Sequence, residues 1–179
     1  MALLRWPTAI VAVAFVQFVQ GSAQPGLTEA QAKAAVLYNL AQFVEWPADS
    51  LPSTITIGIV RATPVFTAIQ AADGRVVQGR TVRIRNVQPG DEAHTCQIVY
   101  LADLDREGQV WLEKVARKPI LTVSDDQRFL LAGGIIRLSF VGARVKFDID
   151  VGHAERARLK ISSKVLTLAR LVRDGREIE

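Results

Sequence analysis

The chain has 179 residues, 49% of them apolar and 22% charged, with a formal net charge of +4. That balance excludes a disordered polyelectrolyte and suits a globular domain with a proper core. So small a basic excess, mixed along the chain, gives no footing for nucleic-acid binding, and the single cysteine, Cys96, excludes a disulfide within the chain.

Residues 1–23 read as a cleavable export signal. Arg5 precedes the apolar run Ala9 to Val16, and the small residues Gly21, Ser22 and Ala23 follow. A retained membrane anchor is the alternative. The apolar run ends at Val19, is broken by Gln17 and falls short of the roughly 20 residues that a spanning helix needs. Cleavage after Ala23 leaves residues 24–179 as one exported domain, with no cysteine at the cut for a lipid. The expected product therefore works outside the cytoplasm and carries no stable membrane anchor.

Thr28 to Gln31 has the pattern of a capping box, and the helix it opens carries Val36, Leu40, Phe43 and Val44 at helical spacing until Trp46-Pro47 stops it. Thr54 to Val60 follows as a strand with Ile55, Ile57 and Ile59 on one face. Thr63-Pro64 starts a short helix ending near Ala72, and Asp73-Gly74 makes a turn. Arg80 to Val87 alternates, with Val82 and Ile84 opposed to Thr81, Arg83 and Arg85, which suits an edge strand. The sharper reading of Arg75, Arg80, Arg83 and Arg85 is a basic ligand site; solvated edge charge is the plainer one.

Gln97 to Leu101 and Ile120 to Val123 are continuously apolar, as strands buried on both faces are. Cys96, next to the first of them, reads as a small buried hydrophobe, with intermolecular pairing as the alternative. Asp105 can cap a helix to about Arg117, closed by Pro119, and Ser124-Asp125-Asp126 can cap a further short helix to Gly133-Gly134. Ile135 to Val151 predicts a hairpin turning at Gly142-Ala143. Its register sets Phe140 opposite Val145, Leu138 opposite Phe147, and Ile136 opposite Ile149 on one face, and Arg137 opposite Asp148 on the other. Asp148 and Asp150 share a face as paired catalytic carboxylates would, although a salt bridge and solvent also account for them. A last amphipathic helix, capped by Ser162 or Ser163, carries Ile161, Val165, Leu168, Ala169 and Val172 as its stripe, with Arg170, Arg173 and Arg176 near its end.

Buried strands alternating with helices predict an α/β fold: a three-layer sandwich with helices on both faces of a mixed, mainly parallel central sheet, the C-terminal hairpin adding antiparallel strands. No phosphate loop, dinucleotide fingerprint or nucleophile elbow is present, and neither His94 nor His153 has ligand spacing with Cys96. No catalytic residue, metal or cofactor is expected, and a binding protein is favoured over an enzyme. The candidate ligand site is Ser124, Asp125, Gly133 and Gly134, at the carboxyl end of a central strand, where open α/β sheets take ligands. Helix capping is the simpler use of the same residues.

Several segments resemble the YfiR family of exported regulators. They are Lys33 to Pro47, Ile57-Gly58-Ile59, Gly79-Arg80, Cys96 to Leu101, Leu121 to Asp125 with Phe129 and Gly133 to Ile136, Val145 to Ile149, and Leu159 to Leu166. They fall in one order across nearly the whole exported part. The resemblance implies a periplasmic repressor that restrains an inner-membrane diguanylate cyclase by binding its periplasmic sensor region, lowering cyclic di-GMP output, with a homodimer as the family's habit. A sensor kinase in place of the cyclase, and a small-molecule binding component in place of the repressor, stay open. Where family members use extra cysteines, this chain has Cys96 alone, so control through an internal disulfide is out of reach.

Overall fold

The computed structural model describes residues 28–50, 52–61, 63–88, 95–141 and 144–178. The export signal, His94 and the Gly142-Ala143 turn lie outside the described residues.

Helix α1 (Glu29–Phe43) opens on the expected capping box: Thr28 Oγ1 accepts from Gln31 N while the Gln31 side chain accepts from Thr28 N. Its buried face is Lys33, Ala34, Leu37, Leu40 and Ala41, with Val36 and Phe43 only partly covered. The helix ends before the expected Trp46-Pro47 because Val44–Glu45 (β1) pairs with Lys160–Ile161 (β9). The Gln78 side-chain amide donates to the carbonyls of Ala41, Gln42 and Val44, satisfying the end of the helix.

Strand β2 (Thr54–Val60), helix α2 (Pro64–Ile69, with a 3₁₀ turn to Ala72), strands β3 (Val76–Val77) and β4 (Arg80–Val87), strand β5 (Ile98–Leu101), helix α3 (Arg106–Val115) and strand β6 (Leu121–Ser124) follow. The hairpin is β7 (Ile136–Val141) and β8 (Arg144–Asp150), and all four expected cross-strand pairs are in register. The nine-stranded sheet also includes β10 (Arg170–Arg173) and β11 (Arg176–Glu177), in the order β11-β10-β8-β7-β6-β5-β2-β4-β3. Neighbours from β4 to β7 pair in parallel; β8 is antiparallel to β7, and β10 lies parallel to β8. Strand β4 is not the edge, since the two-residue β3 pairs outside it.

Two apolar cores sit on opposite faces of this sheet. On one, Ile55, Ile57, Ile59, Tyr100, Val123 and Leu138 meet α1, α2 and helix α4 (Val151–Arg156). On the other, Val99 and Leu101 meet Trp111, Leu112 and Val115 of α3, together with Phe129 and Val172. Burial on both faces explains why β5 lacks polar alternation; in β6 the alternating Thr122 and Ser124 are buried too, each hydroxyl accepting from a peptide N–H. Cys96 is 1% exposed in the second core, as expected of a small hydrophobe, and burial pushes its thiol up.

One expected helix is absent and another is cut short. Residues 127–133 form consecutive turns, with Asp126 accepting from Arg128 N. The expected C-terminal helix stops after one turn, α5 (Ser163–Leu166), capped by Ser162. The chain then enters β10, where Val172 is buried and Leu168 is left 74% exposed. Asp174 and Gly175, both at positive φ (51° and 75°), form the two-residue turn into β11 that Asp-Gly favours.

Candidate functional site

The four residues singled out from the sequence stand near the carboxyl end of β6, and each is engaged by the fold. Ser124 is fully buried, and its Oγ accepts from Asp126 N at 3.1 Å. The Asp125 carboxylate accepts from the Tyr100 hydroxyl at 3.0 Å and from Lys33 Nζ. Lys33 is 8% exposed, pairs also with Glu29 one turn back at 2.6 Å, and lies 5.4 Å from the Phe140 ring centroid. Burial pulls the Lys33 ammonium down, but the Asp125 and Glu29 carboxylates outweigh it and hold it above its ordinary value. Burial and the Asp125 charge together push the Tyr100 phenol up. This network fastens α1 to the ends of β5 and β6.

Gly133 has a left-handed backbone (φ 102°). A side-chain carbon at Gly134 would stand 2.2 Å from the Phe129 ring. Gly134 is therefore held by close packing.

A crevice of about 190 Å³ opens at another pair of strand ends, lined by Val60, Arg61 and Thr63 after β2 and by Ala102, Asp103, Asp105 and Gly108 after β5. The chain leaves β2 towards β4 on one side and β5 towards β6 on the other. This is the topological switch point, where open α/β sheets bind ligands. Arg61 stands at a positive φ of 67° and pairs with Asp105 and, at 3.4 Å, with Glu107. Asp105 caps α3 by accepting from Gly108 N at 2.8 Å. That N–H and the Arg61 guanidinium hold its carboxyl below the usual range. Both flanking strands were legible in the sequence, but a switch point depends on strand order, which the sequence does not show; the residues singled out from the sequence stand on β6, the next strand beyond β5, and just after it.

The other candidates also resolve into local roles. Arg83 pairs with Asp73 at 3.3 Å, Arg85 donates to Thr95 at 3.1 Å, Arg80 to the Gln78 carbonyl at 3.2 Å, and Arg75 stacks 5.8 Å from the Tyr38 ring centroid. These side chains are mostly solvated. Asp148 is gripped by Arg137 and Arg170, whereas Asp150 caps α4 and accepts from peptide N–H groups of His153 and Gly175. Among the described residues one grouping has metal-ligand chemistry: Asp150, His153 and Asp174.

The sheet, both cores and the strand-end network lie almost wholly between α1 and the start of β10. Residues 30–170, the same stretch, match the family model described as YfiR/HmsC-like. The chain belongs to the YfiR/HmsC-like family.

Proposed function

We propose that this protein is an exported regulator that restrains a membrane-bound diguanylate cyclase, or a similar sensor enzyme, by binding its periplasmic region and lowering cyclic di-GMP signalling. The observation that carries this reading is the family match over residues 30–170. Two features are consistent with it. Residues 1–23 have the layout of a signal cut after Ala23, and among the described residues no helix is long and apolar enough to cross a membrane. The mechanism is stoichiometric, the protein acting as a binding partner and homodimer, not as an enzyme. It shifts its receptor only to the extent that it binds one receptor state more tightly than the other.

Deleting the gene in a strain that carries the cyclase is expected to raise cyclic di-GMP and surface adhesion. Restoring the full chain should reverse the rise, and restoring residues 24–179 without the export signal should not. Unchanged cyclic di-GMP after deletion would overturn the reading.

The switch-point crevice beside Arg61, Thr63 and Asp103 favours a second reading, a periplasmic small-molecule sensing component. It expects ligand-dependent rises in melting temperature for the isolated exported protein, with no membrane partner present. Flat melting temperatures across a broad metabolite panel would remove it.

A further inference from the structure

We propose that Asp150, His153 and Asp174, with the carbonyl oxygen of Gly134, bind one divalent transition-metal ion of the Zn²⁺ or Mn²⁺ class, in a structural site that staples the C-terminal strands to the sheet. The ligand atoms of the three side chains all lie within 4.8 Å of one another. His153 Nδ1 is 2.9 Å from the Gly134 oxygen and 3.4 Å from Asp150 Oδ2. An ion about 2.1 Å from each donor sets neighbouring donors about 3.0 Å apart in octahedral and about 3.4 Å apart in tetrahedral coordination. The observed separations, which without an ion are a hydrogen bond from His153 Nδ1 to Gly134 and an ion-pair approach to Asp150, also fall in that range.

A second observation concerns charge. Asp150 is fully buried; among the described residues the cationic side chain in direct ion-pair contact with it is His153, and the Arg173 guanidinium acts on its charge from further away. Its hydrogen-bond donors are the peptide N–H groups of His153 (2.8 Å, to Oδ1) and Gly175 (2.7 Å, to Oδ2). Asp148, two residues earlier, is also buried but has two arginines. Buried carboxylates are ordinarily paired with a cation or bound to a metal, and peptide donors of this kind orient a metal-binding carboxylate. Capping of α4 accounts for Asp150 Oδ1 and the Gly175 N–H for Oδ2; neither accounts for His153 Nδ1 standing 3.4 Å from Oδ2 with a ligand atom of Asp174 within 4.8 Å of both residues' ligand atoms. Asp174 gives Oδ1 to Arg156 at 2.7 Å, which leaves Oδ2 for an ion.

The donors come from the segment just before β7, the end of β8, α4 and the β10–β11 turn, so one ion would crosslink four segments. One imidazole among oxygen ligands suits Zn²⁺ or Mn²⁺ better than Mg²⁺, which favours oxygen alone and keeps its waters. The site stands apart from the regulatory reading, and neither depends on the other.

The test is calorimetric titration and thermal melting of the chelator-stripped exported protein with ZnCl₂ and MnCl₂, with MgCl₂ as the control. The expected result is one ion bound per chain, with a rise in melting temperature that Mg²⁺ does not reproduce. His153→Gln and Asp174→Asn should each weaken binding at least tenfold. Arg156→Gln, which removes the Asp174 ion pair but no ligand, should keep the metal-dependent shift. The proposal is overturned if neither ion binds saturably, or if binding is undiminished in both ligand variants.

Discussion

Asp148→Asn is expected to remove about 3–5 kcal/mol of folding stability, the cost of breaking a buried ion pair from one side. It should be read as a lower denaturant midpoint with an unchanged slope. Asp148 is 6% exposed and sits in the middle strand of three. Its cross-strand neighbours are Arg137 on β7 and Arg170 on β10. Arg137 Nε donates to Oδ2 at 2.9 Å, with a second donation from the same guanidinium, and Arg170 Nε donates to Oδ1 at 2.8 Å. The amide keeps the volume but leaves two guanidinium groups facing a neutral side chain.

The same residue sets a pH dependence. Burial pushes the Asp148 carboxyl up, but hydrogen bonds from Arg170 and Arg137 outweigh it and hold the group below the ordinary carboxylate value. A depressed folded value means that the stabilisation is present above the unfolded value of about 3.9 and is lost as pH falls through the folded one. Acid unfolding of the wild type should therefore be steeper below pH 4 than that of Asp148→Asn. Parallel acid limbs would show that this carboxylate is not among the groups that stabilise the sheet.

Gly134→Ala is expected to cost about 3 kcal/mol, at the upper end of ordinary overpacking. The added carbon would lie 2.2 Å from both Cδ1 and Cε1 of Phe129 and 2.6 Å from Cζ. Phe129 is fully buried in the second core, so the ring has no room to retreat. Trimming the ring relieves the clash. Phe129→Leu with Gly134→Ala should therefore lose at least about 1 kcal/mol less than the two single losses added together, as coupled neighbours do. Additive losses would show that the two residues do not compete for space. Were Gly134 conserving backbone freedom for a ligand alone, the single variant would melt like the wild type.

These two residues mark what is legible in a sequence of this kind. The pairing of Arg137 with Asp148 follows from alternation and a two-residue turn, both of which act over a dozen residues. Arg170 completes the grip, yet its segment reads equally well as a helical stripe, because Val165, Leu168, Ala169 and Val172 recur at a helical interval. The signal against a helix was present: Asp174-Gly175 is a favoured two-residue hairpin turn, and Gln78-Gly79, with both residues at positive φ, plays the same part between β3 and β4. Gly134 reads from the sequence as part of a candidate ligand site or a helix end, and the close approach of a ring five residues away is not legible there.

Local chemistry along the chain determined the capping box at Thr28, the bounds of β2 and β4, the doubly buried runs of β5 and β6 and the hairpin register, because each is decided by neighbours within a turn or a strand. Tertiary structure alone decided that β2 lies between β4 and β5, that Lys33 reaches Asp125 across 92 positions, and that Asp174 returns to Asp150 and His153. Those placements depend on which surfaces are buried together, and periodicity records that a face is buried without recording against what.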